Sequence, residues 1–182
     1  MVAAFLIVLL ALAAAYLVIW LVGGFRFYLT LRGKRLVTCP ETKKPAAVEL
    51  EAGPVAMESL IGPFSLRLRE CSRWPERQNC GQGCLSQIEA APEDCLVWAI
   101  ISKWYQGREC IYCHKPFGQI KWHEHGPALV TSDRNTVQRN KIPVEKLPEI
   151  LATHWPVCWD CHVAETFRRE HPELVVDRPW KH

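Results

Sequence analysis

Cys110-Ile111-Tyr112-Cys113-His114 and Cys158-Trp159-Asp160-Cys161-His162 are two copies of one short pattern, a pair of cysteines followed directly by histidine. The two residues inside each pair let both sulfurs turn toward the same ion. Structural zinc prefers four thiolate or imidazole ligands at the corners of a tetrahedron. The pattern therefore predicts that both pairs together hold one zinc ion.

Each pair has a setting that is typical of zinc modules. His114-Lys115-Pro116-Phe117-Gly118 is similar to the turn of a zinc knuckle, and the second pair is expected to open a helix over residues 157–171. Such a helix start favours thiolates. This order resembles the treble clef and, more broadly, HNH-type modules, over residues 108–182. The HNH resemblance implies a general base at His125 and a ligand of a second, catalytic metal at His162.

The same pattern is also the attachment signature of c-type haem, in which the thiols bind the porphyrin and the histidine is an axial ligand. That resemblance implies a di-haem electron carrier with His114 and His162 as axial ligands. His123 and His125 lie beside Glu124 in an expected loop and are further candidate ligands. Zinc is the first interpretation and haem the alternative, because covalent haem attachment normally takes place outside the cytoplasm.

The N-terminal segment predicts a membrane anchor. Residues 2–25 contain no charged side chain, and this run exceeds the roughly 20 apolar residues that cross a bilayer core. A cleaved signal peptide is the alternative, although no basic residue precedes the apolar run. Residues 26–35 form a basic juxtamembrane segment that contains Arg26, Arg32, Lys34 and Arg35.

This charge asymmetry predicts which side of the membrane the rest of the chain occupies. Cytoplasmic flanks carry the excess of lysine and arginine, so we expect a single-pass protein with a cytoplasmic C-terminal domain. The four cations are also expected to lie near anionic head groups. The periplasmic or extracellular face is the alternative.

Residues 36–107 are expected to form a small α+β region. Residues 36–70 indicate short strands and turns, with alternating apolar positions at 47–51 and 64–69. Helices are expected over residues 85–90 and 93–106. A long irregular stretch is expected over residues 118–148, between the two cysteine pairs.

The same region contains a second, looser group of cysteines. Four thiols at irregular spacing could hold another zinc ion or an iron–sulfur cluster, and buried core cysteines are the alternative. The members of this group are Cys39, Cys71, Cys80 and Cys84, with Cys95 left over as a buried small residue or a substitute ligand.

Composition and motifs limit the function. Nine cysteines in a cytoplasmic chain indicate metal binding rather than disulfides, and a net charge of +3 is too small to indicate nucleic acid. No Gly-rich phosphate loop, nucleophile elbow or zinc-protease helix motif is found.

The sequence therefore predicts an α+β fold: an N-terminal transmembrane helix followed by a small, cysteine-rich, metal-stabilised domain. The function indicated is that of a zinc-binding accessory or scaffolding protein rather than an enzyme. Its expected partners are the lipid bilayer and other membrane or cytoplasmic proteins. A di-haem c-type cytochrome and an HNH-like metal-dependent nuclease are the alternatives.

Overall fold

The computed structural model describes residues 2–76, 79–120 and 126–175. The chain divides into two compact units, Met1–Val97 (unit 1) and Trp98–His182 (unit 2). Each unit combines helices with a three-stranded antiparallel sheet. The predicted mixture of helix and sheet is confirmed.

Unit 1 consists of a long helix, a small sheet and two shorter helices. Its three strands pair in the order in which they occur along the chain. The elements are α1 (Val2–Leu31), β1 (Arg35–Thr38), β2 (Pro45–Leu50), α2 (Ala52–Ile61), β3 (Leu68–Cys71) and α3 (Leu85–Ala90).

The core of unit 1 lies on one face of this sheet. Strand β2 buries Ala46, Val48 and Leu50 and leaves the residues between them partly exposed, which is the period of a half-buried strand. Val55 of α2 and Ile88 of α3 complete this core at 0% and 1% exposure. The strand predicted at residues 47–51 and the helix at 85–90 are therefore confirmed.

Helix α1 extends further than the predicted span of residues 2–25. Its 30 residues give a length of about 45 Å at 1.5 Å per residue, and the helix is long and apolar enough to cross a bilayer. Its C-terminal part packs on α2. A Cβ atom at Gly24 would lie 2.8 Å from Leu60 Cδ1, so glycine permits this close approach.

Arg35 lies inside unit 1 rather than near the head groups, which corrects the expectation for the basic segment. Its side chain is fully buried. The guanidinium donates to the carbonyl oxygens of Thr30 (2.6 Å), Leu31 (2.7 Å) and Gly33 (3.3 Å). The last carbonyls of a helix have no partner within the helix, so Arg35 caps the end of α1.

Two expectations for residues 36–70 are wrong. Residues 52–61 form α2 and not strands or turns. The helix tolerates Pro54 because this residue lies in the first turn, where no backbone donor is needed. The third strand begins at Leu68 rather than at residue 64. Before it, Phe64 packs against the Phe27 ring with centroids 5.0 Å apart, and Arg67 forms ion pairs to Glu51 and Glu58.

Unit 2 is built around a second small sheet, in which the central strand β4 pairs with β5 and β6. The elements are α4 (Val97–Tyr105), β4 (Ala128–Val130), β5 (Thr136–Gln138), α5 (Leu147–Thr153), β6 (Trp155–Val157) and α6 (Trp159–Glu170), with 3-10 turns at Arg139–Lys141, Val144–Lys146 and Pro172–Leu174.

The helices of unit 2 agree with the sequence better than its strands do. Helix α6 confirms the helix predicted over residues 157–171. Helix α4 begins later than residue 93, because Leu96 still bridges to Arg35 as extended chain. The predicted irregular stretch over residues 118–148 is wrong in part, since β4 and β5 lie within it.

Replacing Arg35 with methionine should destabilise unit 1. The substitution removes the donors that satisfy the end of α1, and each buried carbonyl without a partner costs about 1–3 kcal/mol. We expect the free energy of unfolding to fall by about 3 kcal/mol, measured by denaturant titration of the full chain in detergent micelles.

Arg32→Met is the matched control, because Arg32 is exposed. It removes the same charge three residues away. An equal loss of stability in both variants would contradict the capping role of Arg35.

Candidate metal centre

The four cysteines of the doubled pattern converge in unit 2. The Sγ atoms of Cys110, Cys113, Cys158 and Cys161 all lie within 4.8 Å of one another, and those of Cys113 and Cys158 are 3.6 Å apart. Four sulfurs around one zinc at about 2.3 Å would be about 3.8 Å from each other. This donor set could therefore hold a single metal ion.

The first pair is positioned by a tight backbone turn. Cys110 N–H donates to Lys115 O (3.0 Å), and His114 N–H donates to Cys110 O (2.9 Å). His114 has φ +56°, a left-handed conformation that non-glycine residues seldom adopt. The turn directs Cys110 into the interior, where it is fully buried, and leaves Cys113 exposed.

The second pair is positioned by the start of α6. Strand β6 ends at Val157, Cys158 is the N-cap residue of the helix, and Cys161 lies in its first turn. Two hydrogen bonds connect this region to the first pair. Ile111 N–H donates to Pro156 O (3.0 Å), and Cys158 N–H donates to Cys110 Sγ (3.3 Å).

The four thiols differ in acidity. Burial acts to raise the pKa of Cys110, but the backbone N–H groups of Cys158, Cys113 and Tyr112 together lower that pKa to about 7. Burial raises the pKa of Cys158 and of Cys161, for which the neighbouring sulfurs add to the effect. A cation that binds all four sulfurs must therefore displace protons.

Neither histidine of the doubled pattern belongs to the sulfur cluster. His114 is exposed in the turn. His162 is 6% exposed, and its ring lies 5.4 Å from that of Trp159. Burial lowers the pKa of His162, and the cations Lys141 and Arg169 contribute.

The remaining candidate residues lie elsewhere. His123 and His125 are outside the described residues. The second cysteine group lies in unit 1, where its members line one small cavity: Cys39, Cys71, Cys80 and Cys84. Burial raises the pKa of Cys84 to about 11, and the other three thiols act in the same direction.

The sequence did not reveal what holds the two pairs together. The contact between Ile111 and Pro156 joins backbone atoms, which no side-chain pattern encodes. Val130 and Val157 pack against Cys110, and their role depends on the pairing of β4 with β6. The only sequence signal for this packing against Cys110 is the apolar character of the two strands.

Comparison with protein-family models, curated proteins and solved structures finds no match for this chain. The fold and site define a mixed helix-and-sheet chain with one long apolar N-terminal helix and a four-cysteine cluster that could bind a metal ion.

Cys110→Ser should remove one equivalent of bound metal per chain. It takes away the most deeply buried of the four sulfurs, and a structural ion is released when its ligand set is incomplete. We also expect a lower unfolding midpoint. Elemental analysis of the purified full chain and thermal denaturation in detergent measure the two effects.

Cys95→Ser is the control, because Cys95 belongs to neither cysteine group and contacts Gln87 O through its thiol. Retention of the full metal content by Cys110→Ser would rule out the unit 2 site.

Proposed function

We propose that this chain is a membrane-anchored zinc protein with an accessory or scaffolding role. The observation that carries the proposal is the convergence of four sulfurs within 4.8 Å of one another. Four protein ligands make a closed site, whereas catalytic zinc keeps one position for water or substrate. A closed site supports a role in holding the fold together.

The spacing of the sulfurs favours one zinc ion over a cluster. Tetrahedral sites with four thiolates suit zinc or iron–sulfur centres. In an iron–sulfur cluster the four cysteines are shared among two or four iron atoms, so sulfurs on different irons lie further apart than sulfurs around one ion, whereas here all four lie within 4.8 Å of one another. The 3.6 Å between Cys113 and Cys158 fits a shared single ion.

The same geometry argues against the di-haem alternative. Two haems would need each cysteine pair to face its own porphyrin, with the following histidine against the iron. Here sulfurs of different pairs are neighbours, and His162 instead packs against Trp159. One shared ion accounts for both pairs, so electron transfer through covalent haem is disfavoured.

An ion at this position would connect distant parts of unit 2. It would join the turn after α4, through Cys110 and Cys113, to the N-terminus of α6, through Cys158 and Cys161. Chelation of the ion would then loosen α6. A fixed α6 offers its outer side to a partner, with Val163 and Phe167 each about half exposed. This surface suits an accessory role.

Helix α1 is proposed as the membrane anchor, with the region that follows it in the cytoplasm. Arg26, Arg32 and Lys34 are exposed and provide the basic flank even though Arg35 is buried. A basic flank of this kind favours a cytoplasmic location for the region that follows α1.

A second apolar surface beside α1 supports contact with the membrane. Helix α2 packs its Leu60 against Gly24 and leaves Met57 and Ile61 exposed at 58% and 84%. Exposed apolar side chains beside a membrane helix suit the interfacial layer of a bilayer. The end of α2 would therefore rest in that layer.

The purified full chain should be colourless and contain zinc. When cobalt replaces zinc, tetrahedral thiolate coordination should give strong visible absorption bands. Because the proposed site is closed, added cyanide or imidazole should leave these bands unchanged. Absorption spectroscopy and elemental analysis measure these results.

A Soret band retained after denaturation would establish covalent haem and overturn the zinc proposal. A shift of the cobalt bands on adding cyanide would reveal an open coordination position, and the structural role would then be wrong. Cys95→Ser serves as the reference sample because it keeps both pairs intact.

A C-terminal tag on the full chain should be digested by protease in inside-out vesicles and protected in right-side-out vesicles. Changing Arg26, Arg32 and Lys34 together to glutamine should reduce this asymmetry, because it removes the exposed basic flank. Immunodetection of the tag measures the protected fraction.

The matched control is the triple variant Arg26→Lys, Arg32→Lys, Lys34→Arg, because it retains the charge at all three positions. Protection in inside-out vesicles would reverse the proposed orientation. Loss of the α1 residues from the mature protein would identify a cleaved signal peptide instead of an anchor.

A further inference from the structure

Four cysteines of unit 1 surround one small cavity. Cys39 follows β1, Cys71 ends β3, Cys80 lies in the loop that comes next, and Cys84 is the N-cap residue of α3. They line a cavity of about 20 Å³. A volume of this size holds about one water molecule or one ion.

The backbone turn at Cys39 repeats the turn of the unit 2 site. Cys39 N–H donates to Lys44 O (2.9 Å), and Lys43 N–H donates to Cys39 O (2.8 Å). The turn that starts at Cys110 has the same two hydrogen bonds at the same spacing, at 3.0 and 2.9 Å. Lys43 and His114 occupy equivalent positions, and both have φ +56°.

Backbone donors face the sulfurs in both places. In each turn, the N–H groups two and three residues after the cysteine interact with its sulfur. Cys71 Sγ also accepts a hydrogen bond from Arg73 N–H, at 3.5 Å. Thr42 stands where the other turn has Cys113, so this turn supplies one sulfur rather than two.

The loop that contains the last two cysteines is held tightly against the Cys39 turn. A Cβ atom at Gly83 would lie 3.3 Å from Pro40 Cγ. Thr38 N–H donates to Gln87 Oε1 (3.0 Å), and Gln87 Nε2 donates to Thr38 O (2.6 Å). These contacts fix Cys84 beside the end of β1 without help from a ligand.

We propose that Cys39, Cys71, Cys80 and Cys84 bind a second thiophilic divalent cation of the zinc type. As in unit 2, a turn of knuckle geometry and the start of a helix each supply a cysteine, and here both cysteines line one cavity. Ordinary core cysteines would not need a shared cavity of single-ion size or a left-handed turn directed at one sulfur. The site is independent of the one in unit 2.

The test is zinc content of the full chain purified in detergent, with variants of each site. The wild-type chain should hold two equivalents of zinc, and Cys84→Ser and Cys71→Ser should each hold one. Cys110→Ser should also hold one, and the double variant Cys84→Ser, Cys110→Ser should hold none. Cys95→Ser should keep both.

Alkylation of the Cys110→Ser chain tests the site without a variant in unit 1. Cys39, Cys71, Cys80 and Cys84 should resist iodoacetamide until a chelator is added and then react, as read by peptide mass spectrometry. Modification that is the same with and without chelator would identify these residues as free thiols and overturn the proposal. Iron and acid-labile sulfide in the preparation would overturn a single-ion site.

The two proposals fail separately. One equivalent of zinc that is lost in Cys110→Ser but kept in Cys84→Ser would refute the unit 1 site and leave the unit 2 site standing. One equivalent that is lost in Cys84→Ser but kept in Cys110→Ser would do the reverse.

Discussion

The arrangement of unit 2 depends on four sulfurs that come from two distant segments and share a space too small for four negative charges without a cation. Burial raises the pKa values of Cys158 and Cys161, while backbone donors lower that of Cys110. Folding brings the sulfurs together through Val130 and Val157, which pack directly on Cys110. Cys110 is thus part of the apolar core, and an ion at the cluster would replace thiol protons with four metal bonds.

A different constraint governs unit 1, where a helix apolar enough for lipid must end against a small sheet. Its last carbonyls have no partner within the helix, and Arg35 of β1 supplies the donors. The same residue pairs with Val48 in the sheet and bridges to Leu96. One side chain therefore fixes where α1 ends relative to β1. The buried charge is tolerated because the carbonyl oxygens and the helix dipole stabilise it.

Local sequence patterns predicted several helices and strands correctly. The features that these patterns did not predict depend on contacts between residues far apart in the chain. The helix at 85–90 and the apolar N-terminal helix follow from periodicity and composition. Helix α2 was missed because Gly53 and Pro54 resemble a turn, although Pro54 is acceptable in a first helical turn. Strand β4 was missed because three residues are too few for a period. The convergence of Cys110 with Cys158 follows from spacing, but the burial of Arg35 depends on where α1 ends, which the basic segment does not reveal.

The two cysteine groups use the same local geometry but differ in how the chain closes around them. In unit 2 both pairs are local, and the pairing of β4 with β6 closes the connection between them. In unit 1 only Cys80 and Cys84 are close in sequence, and the strands bring Cys39 and Cys71 to them. The entropic cost of closing a loop rises only slowly with loop length. In both units the pairing of strands offsets this cost. Both sites therefore lie where the edge of a sheet meets the start of a helix. In either unit the sheet would position the sulfurs first, and a bound ion would then join the sheet edge to the helix start.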